Sequence, residues 1–179
     1  MSLRHAVLGL LAEGPASGYD LMKTFDVSLS NVWPATQSQL YTELGKLADA
    51  GLVDVSAEGR RGRKEYMITE AGLAELRHWI TDVEPTRVLR SDMLLRVFFL
   101  GQITPEQARA YLRHQSELAG KHLEGLERIR AFLENRQDNL SAYGRITLEY
   151  GVRLAKTQQE WALKAEADLA RTRPDAPDR

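Results

Sequence analysis

Between residues 58 and 69 the chain reads E-G-R-R-G-R-K-E-Y-M-I-T. Arg60, Arg61, Arg63 and Lys64 place four cations within five positions, and Gly59 and Gly62 punctuate the run. A guanidinium presents forked N–H donors that match phosphate or carboxylate oxygens, and an ammonium adds a compact point charge. The chemistry such a run can do is local neutralisation of an anion, and arginine gains most in a narrow groove of negative potential. A second set of side chains lies upstream. Gln37, Ser38, Gln39, Tyr41 and Thr42 are all uncharged hydrogen-bonding groups. Glutamine can pair bidentately with adenine, and threonine can touch a thymine methyl or a phosphate.

The elements that must position these groups follow from periodicity. Leu3, Ala6, Val7, Leu10 and Leu11 have helical spacing and predict a first helix over 3–12, ended by Pro15. Ser17 is an N-cap for a second helix with Asp20 in its first turn and Leu21, Met22 and Phe25 on its apolar face. Trp33-Pro34 marks a break. Thr36 and Gln39 have capping-box spacing at the start of a third helix, which carries Leu40, Leu44 and Leu47 on one face. Ser38 and Thr42 lie opposite that face, with Gln37, Gln39 and Tyr41 on its flanks. Gln39 is open to two readings, a capping residue or a base reader, and Tyr41 lies close enough to the leucines to be partly core. Gly51 suits the left-handed position after the helix, with Leu52 folding back on Leu47.

The period then changes to two. Leu52–Val55 and Glu65–Ile68 alternate as short strands around the glycine-bearing cationic run, which predicts a β-hairpin with a basic tip. Thr69-Glu70-Ala71 opens a fourth helix carrying Leu73, Leu76, Trp79 and Ile80. After a boundary at Val83–Thr86 the pattern is helical throughout. A short apolar helix spans roughly 91–101. A long one runs from Thr104-Pro105-Glu106-Gln107 to about 137, with Leu112, Ala119, Leu126 and Leu133 seven apart and His122 and Ile129 on the same seam. A turn over 135–141 leads to a second long helix, roughly 142–171, which carries Tyr143, Tyr150, Leu154, Trp161, Ala165 and Leu169. The tail after Arg171 reads as disordered.

Composition excludes several classes. Hydrophobic content of 43% and charged content of 27% are those of a soluble globular protein, and no apolar run is long enough to span a membrane. There is no cysteine, so disulfides, zinc thiolate sites and thiol chemistry are out, and a cytoplasmic location is expected. His5, His78, His114 and His122 have no metal-ligand spacing on one helix face. With no phosphate-binding glycine loop and no nucleophile elbow, neither an enzyme nor a cofactor is expected. The formal charge is only −1, and residues 1–84 hold 8 Lys+Arg against 12 Asp+Glu, a net of −4, leaving +3 for residues 85–179. The basic run therefore acts locally, not through a general field.

Two helices, a capped third helix and a basic-tipped hairpin stand in the order of a winged helix-turn-helix. The fold expected is mainly α with a small β-hairpin. It comprises a winged helix-turn-helix DNA-binding domain over 1–84, a long-helix dimerisation domain over 85–172 and a disordered tail over 173–179. The expected DNA contacts are Gln37, Ser38, Gln39, Tyr41 and Thr42 on the third helix and Arg60, Arg61, Arg63 and Lys64 on the wing. An alternative, motivated by the acidic balance of residues 1–84, is a winged helix that binds a partner protein and not DNA.

The first domain resembles the PadR family of bacterial transcriptional regulators. The resemblance is carried by V-L-G-L-L at 7–11, G-P-x-x-G-Y-D-L at 14–21, Phe25, Trp33 and L-Y-x-x-L-x-x-L-x-x-x-G-L-V at 40–53, followed by G-R-K-E-Y-x-I-T at 62–69 and G-L-A-E-L-R-H-W at 72–79. In length and helicity the second half is similar to the subgroup related to virulence activators. The resemblance implies a homodimeric regulator of double-stranded DNA, most often a repressor, and some family members release DNA on binding an aromatic small molecule. Independently of the resemblance, a helix of roughly 34 residues is roughly 50 Å long. The remaining elements are too few to cover two such rods. Phe98, Phe99, Tyr111, Phe132, Tyr150 and Trp161 are apolar groups in want of a partner, for which a second copy forming a coiled-coil-like pair is the simplest.

Overall fold

The computed structural model describes residues 2–29, 32–56, 64–86 and 90–171. Two compact units, Met1–Thr86 and Arg87–Arg179, divide the chain. The first holds α1 (Ser2–Ala12), β1 (Ala16–Ser17), α2 (Gly18–Ser28), α3 (Gln37–Asp49), β2 (Val53–Ser56), β3 (Glu65–Ile68) and α4 (Glu70–Asp82). The second holds α5 (Asp92–Phe98), a 3-10 turn (Leu100–Gln102), α6 (Pro105–Leu133) and α7 (Asn139–Arg171).

In the first unit α1 is the central element. Val7, Leu8, Leu10 and Leu11 are all buried, so its apolar surface is wider than one stripe, as a helix packed on several sides requires. Leu21 and Phe25 of α2, Leu40, Leu44 and Leu47 of α3, Val53 of β2 and Leu76 of α4 complete the core. Full burial of a side chain of this size contributes about 1.5–3 kcal/mol. His5 is also buried, stacked on Trp79 with ring centroids 4.5 Å apart and within 3.3 Å of a Glu75 oxygen. Ile80, expected on the core face of α4 and one turn beyond Leu76 on the same side, is 65% exposed.

The hairpin of β2 and β3 gains a third strand that short-range alternation did not reveal. The sheet order is β1-β3-β2, all antiparallel, with Ala16 opposite Tyr66 and Ser17 opposite Glu65. Two residues are too few to show a period, which is why the strand is silent in the sequence.

The second unit is dominated by an antiparallel pair, α6 and α7. Leu112, Ser116, Ala119 and Leu126 of α6 are buried, as are Ser141, Leu148, Val152, Ala155 and Ala162 of α7. His122, expected on the α6 seam, is exposed; Leu123 packs against the core in its place. On α7 the apolar residues that stand out in the sequence lie mostly outside the pair: Tyr143 and Tyr150 are each 70% exposed, and Leu154 is exposed as well. Small residues line the inner face because they let the two backbones approach; the Gln159 amide lies directly over Gly120.

The connection falls earlier than expected. Helix α6 ends at Leu133 and α7 begins at Asn139. Asp138 caps the new helix, its Oδ1 accepting the Ser141 backbone N–H at 2.9 Å and its Oδ2 accepting the Ser141 hydroxyl at 2.8 Å. Arg145 closes the other end by donating to the carbonyls of Leu133 and Arg136 at 3.1 and 2.8 Å. The tail over 173–179 lies outside the described residues.

Candidate nucleic-acid interface

Helix α3 is held rigidly at both ends and along one side. At its start the Thr36 hydroxyl accepts the Gln39 backbone N–H at 3.3 Å, and the Gln39 side-chain oxygen accepts the Thr36 N–H at 2.9 Å. At its end Gly51 has φ +67°, its N–H donates to the Ala48 carbonyl at 3.0 Å, and Leu52 N–H donates to the Leu47 carbonyl at 2.9 Å. Only a residue at ease in the left-handed region closes a helix this way without strain. Along its inner side Leu40 and Leu44 have no exposed surface, and Leu47 is nearly as deep.

With the leucines inward, Gln37, Ser38, Gln39, Tyr41 and Thr42 all fall on the exposed side. They differ in what they have left to offer. Gln39 has its oxygen engaged in the cap. The Thr42 hydroxyl donates to the Ser38 carbonyl at 2.8 Å, leaving its oxygen lone pairs and methyl outward. Tyr41 keeps 41% of its surface exposed while its ring lies against Gly18 at the start of α2. Lys46, the cation of this helix, is paired with Glu43 at 2.6 Å. The outward face of α3 ahead of it is neutral and polar.

Lys64 is exposed and directly precedes β3. Arg60, Arg61 and Arg63 lie outside the described residues. Strands β2 and β3, which flank them, pair in register from Val53↔Ile68 to Ser56↔Glu65. One residue that sequence reasoning used only as a helix start has a wider part. Thr69 caps α4 by accepting the Gly72 N–H at 3.0 Å, and its hydroxyl donates to the Gly51 carbonyl at 2.9 Å. Its own N–H donates to the Leu52 carbonyl at 3.1 Å, so one threonine ties the end of α3 to the start of α4. A threonine ahead of an acidic helix start signals the cap, but nothing local signals the contact with Gly51, 18 residues away.

A capped, leucine-backed third helix and a hairpin flanking a cationic run, built on a central first helix, define a winged-helix transcriptional regulator. Residues 7–78 match the transcriptional regulator PadR-like family, and residues 89–170 match the virulence activator alpha C-terminal family. The chain is 30% identical over 129 residues to the negative transcriptional regulator PadR of Bacillus subtilis, spanning 70% of this chain and 71% of that protein. This chain belongs to the PadR-like family of transcriptional regulators. In fold it is similar to Bacillus subtilis PadR solved in complex with operator DNA, with TM-score 0.81 and 25% identity over 94% of this chain and 99% of that one. The same relative solved in complex with p-coumaric acid superposes at TM-score 0.84 and 25% identity, over 95% of this chain and 99% of that one. The Vibrio cholerae virulence activator AphA matches at 0.79 and 26% identity over 94% of this chain and 98% of that one. Among the described residues no helix is long and apolar enough to cross a membrane.

Proposed function

We propose that this chain is a cytoplasmic, homodimeric repressor that grips a pseudo-palindromic operator and acts by binding, not catalysis. The observation that carries the reading is α3: a helix with its leucines fully buried, its ends locked, and an outward face of neutral hydrogen-bonding side chains. Such a face suits base edges, whereas phosphate neutralisation falls to the wing cations that follow. Residues 1–84 form the DNA-binding part and residues 85–172 the pairing part. The relative solved with operator DNA supports the first assignment, since this chain shares its fold over 94% of its length.

Gln37, Ser38, Tyr41 and Thr42 are the groups that meet the duplex from α3, and Arg60, Arg61, Arg63 and Lys64 meet it from the wing. Gln39 serves chiefly to hold the start of the helix. The exposed side of α7, with Tyr143, Ile146 and Tyr150 each about 70% exposed, supports pairing with a second copy. Two-fold symmetry then presents two α3 helices to two half-sites. An aromatic small molecule is the effector class that fits the relative solved with p-coumaric acid.

The test is retrieval of genomic DNA fragments by the purified chain at physiological salt. Enrichment of one site with inverted half-sites is the expected result. Retrieval of no fragment above background contradicts the reading and favours the protein-binding alternative, which the acidic balance of residues 1–84 already motivates.

A further inference from the structure

Helix α2 and helix α3 meet at a bare spot. Gly18 is the first residue of α2 and is buried. A methyl group there would lie 2.6 Å from Tyr41 Cε1, 2.9 Å from Cζ and 3.0 Å from the hydroxyl oxygen. Approaches that short are not tolerated, so a side chain at this position forces something to move. Glycine is not required here for its backbone: the glycines with positive φ among the described residues are Gly14 and Gly51. What the absent side chain provides is room, and the occupant of that room is the far end of one tyrosine.

The geometry points to Gly18 as a positioning residue, the seat that holds the Tyr41 phenol in the orientation in which its hydroxyl meets an operator phosphate. This inference rests on the reading that α3 faces DNA. Two features fix the seat. Ser17 caps α2 by accepting the Asp20 N–H at 3.2 Å, and it lies opposite Glu65 in the sheet. The residue before Gly18 is thus paired to the strand that follows the wing, and Gly18 itself carries the ring of the recognition helix. A phenol held in place before DNA arrives loses little rotamer freedom when it binds. Being neutral, it adds a hydrogen bond to the phosphate without releasing a counterion.

The experiment is a double-mutant cycle on the duplex recovered by genomic selection, using Tyr41→Phe, Gly18→Ala and the pair together. Tyr41→Phe removes only the hydroxyl, and an affinity loss of roughly tenfold, the worth of one charge-assisted hydrogen bond, is expected with melting temperature and salt slope unchanged. Gly18→Ala pushes the ring aside and is expected to lose about as much, again with the parent's salt slope. The pair is expected to lose no more than either single change, because the displaced hydroxyl is already out of reach. Losses that add overturn the inference, as does a Gly18→Ala variant that melts earlier yet binds with the parent's affinity. Should Gly18→Ala unfold the chain, Gly18→Ala/Tyr41→Ala is expected to restore the fold; failure to do so overturns the inference, since the methyl then collides with something other than the ring. A parent chain that binds no duplex brings down the functional reading and this inference together. Additive losses in a parent that does bind bring down only the role of Gly18.

Discussion

Thr36 and Gln39 satisfy each other across the start of α3: the Thr36 N–H donates to the Gln39 side-chain oxygen at 2.9 Å, and the Thr36 hydroxyl accepts the Gln39 N–H at 3.3 Å. The same oxygen also accepts the Thr36 hydroxyl at 3.2 Å, so both of its lone pairs are engaged and it has none to offer an adenine amino group. Gln39→Ala is therefore expected to cost about 0.5–1 kcal/mol of stability, as loss of half a capping box does, with little change in preferred sequence. Gln37→Ala is expected to do the reverse. Thermal melting and binding to a panel of single-base operator variants separate the two; a shift of preference in the Gln39 variant would contradict the assignment.

The wing cations carry a different signature. Replacing Arg60, Arg61 and Arg63 with alanine is expected to weaken binding to every duplex. It is also expected to flatten the dependence of log affinity on log salt, by about 0.9 for each phosphate left without its cation. Titrations at several salt concentrations check this. Equal slopes in variant and parent would remove the wing from the mechanism.

Gly72 carries the link between α3 and α4. A methyl group there would overlap the Leu52 carbonyl oxygen and crowd Ile68, and a carbonyl held by the Thr69 N–H at 3.1 Å cannot turn away. Gly72→Ala is expected to destabilise by about 3 kcal/mol, at the upper end of overpacking changes. Chemical denaturation measures it. The same substitution at Gly9, where a methyl group meets nothing within 4 Å, is expected to be neutral or mildly stabilising.

Asp138 makes one step of the folded state sensitive to acid. The Ser141 hydroxyl and then its backbone N–H hold this carboxylate below its ordinary pKa of 3.8. A depressed folded pKa contributes stability that is present above the unfolded value and fades as pH falls through the lowered one. Asp138→Asn is expected to melt below the parent at neutral pH and to converge with it in strong acid, where the parent's aspartate is protonated too. A gap that persists or widens in acid would contradict the ionic cap.

Much of this architecture is written locally. The caps at Ser17, Thr36, Thr69 and Thr104 all stand where their spacing places them, because a cap is a matter of three residues. The left-handed Gly51 and the buried triad Leu40, Leu44 and Leu47 are equally legible. Features that join distant segments are not. Strand β1 exists only because β3 passes beside it, and the Gly18–Tyr41 contact needs α2 and α3 already in place. On α7 the bulky residues that dominate the hydropathy pattern lie outside the helix pair. Its inner face is a seven-residue repeat of mostly small side chains, Ser141, Leu148, Ala155 and Ala162, which matches Leu112, Ala119 and Leu126 on α6. Small residues give a weak hydropathy signal, yet they decide how closely two helices pack.

The central claim is that paired copies of α3 and the wing read one operator. It is tested most directly by sedimentation and titration of the purified chain with two duplexes at physiological salt, one carrying the recovered site and one a shuffle of the same bases. Two chains per duplex, and an affinity for the site at least about a thousandfold above the shuffle, are expected. One chain per duplex, or equal affinity for both, would contradict it.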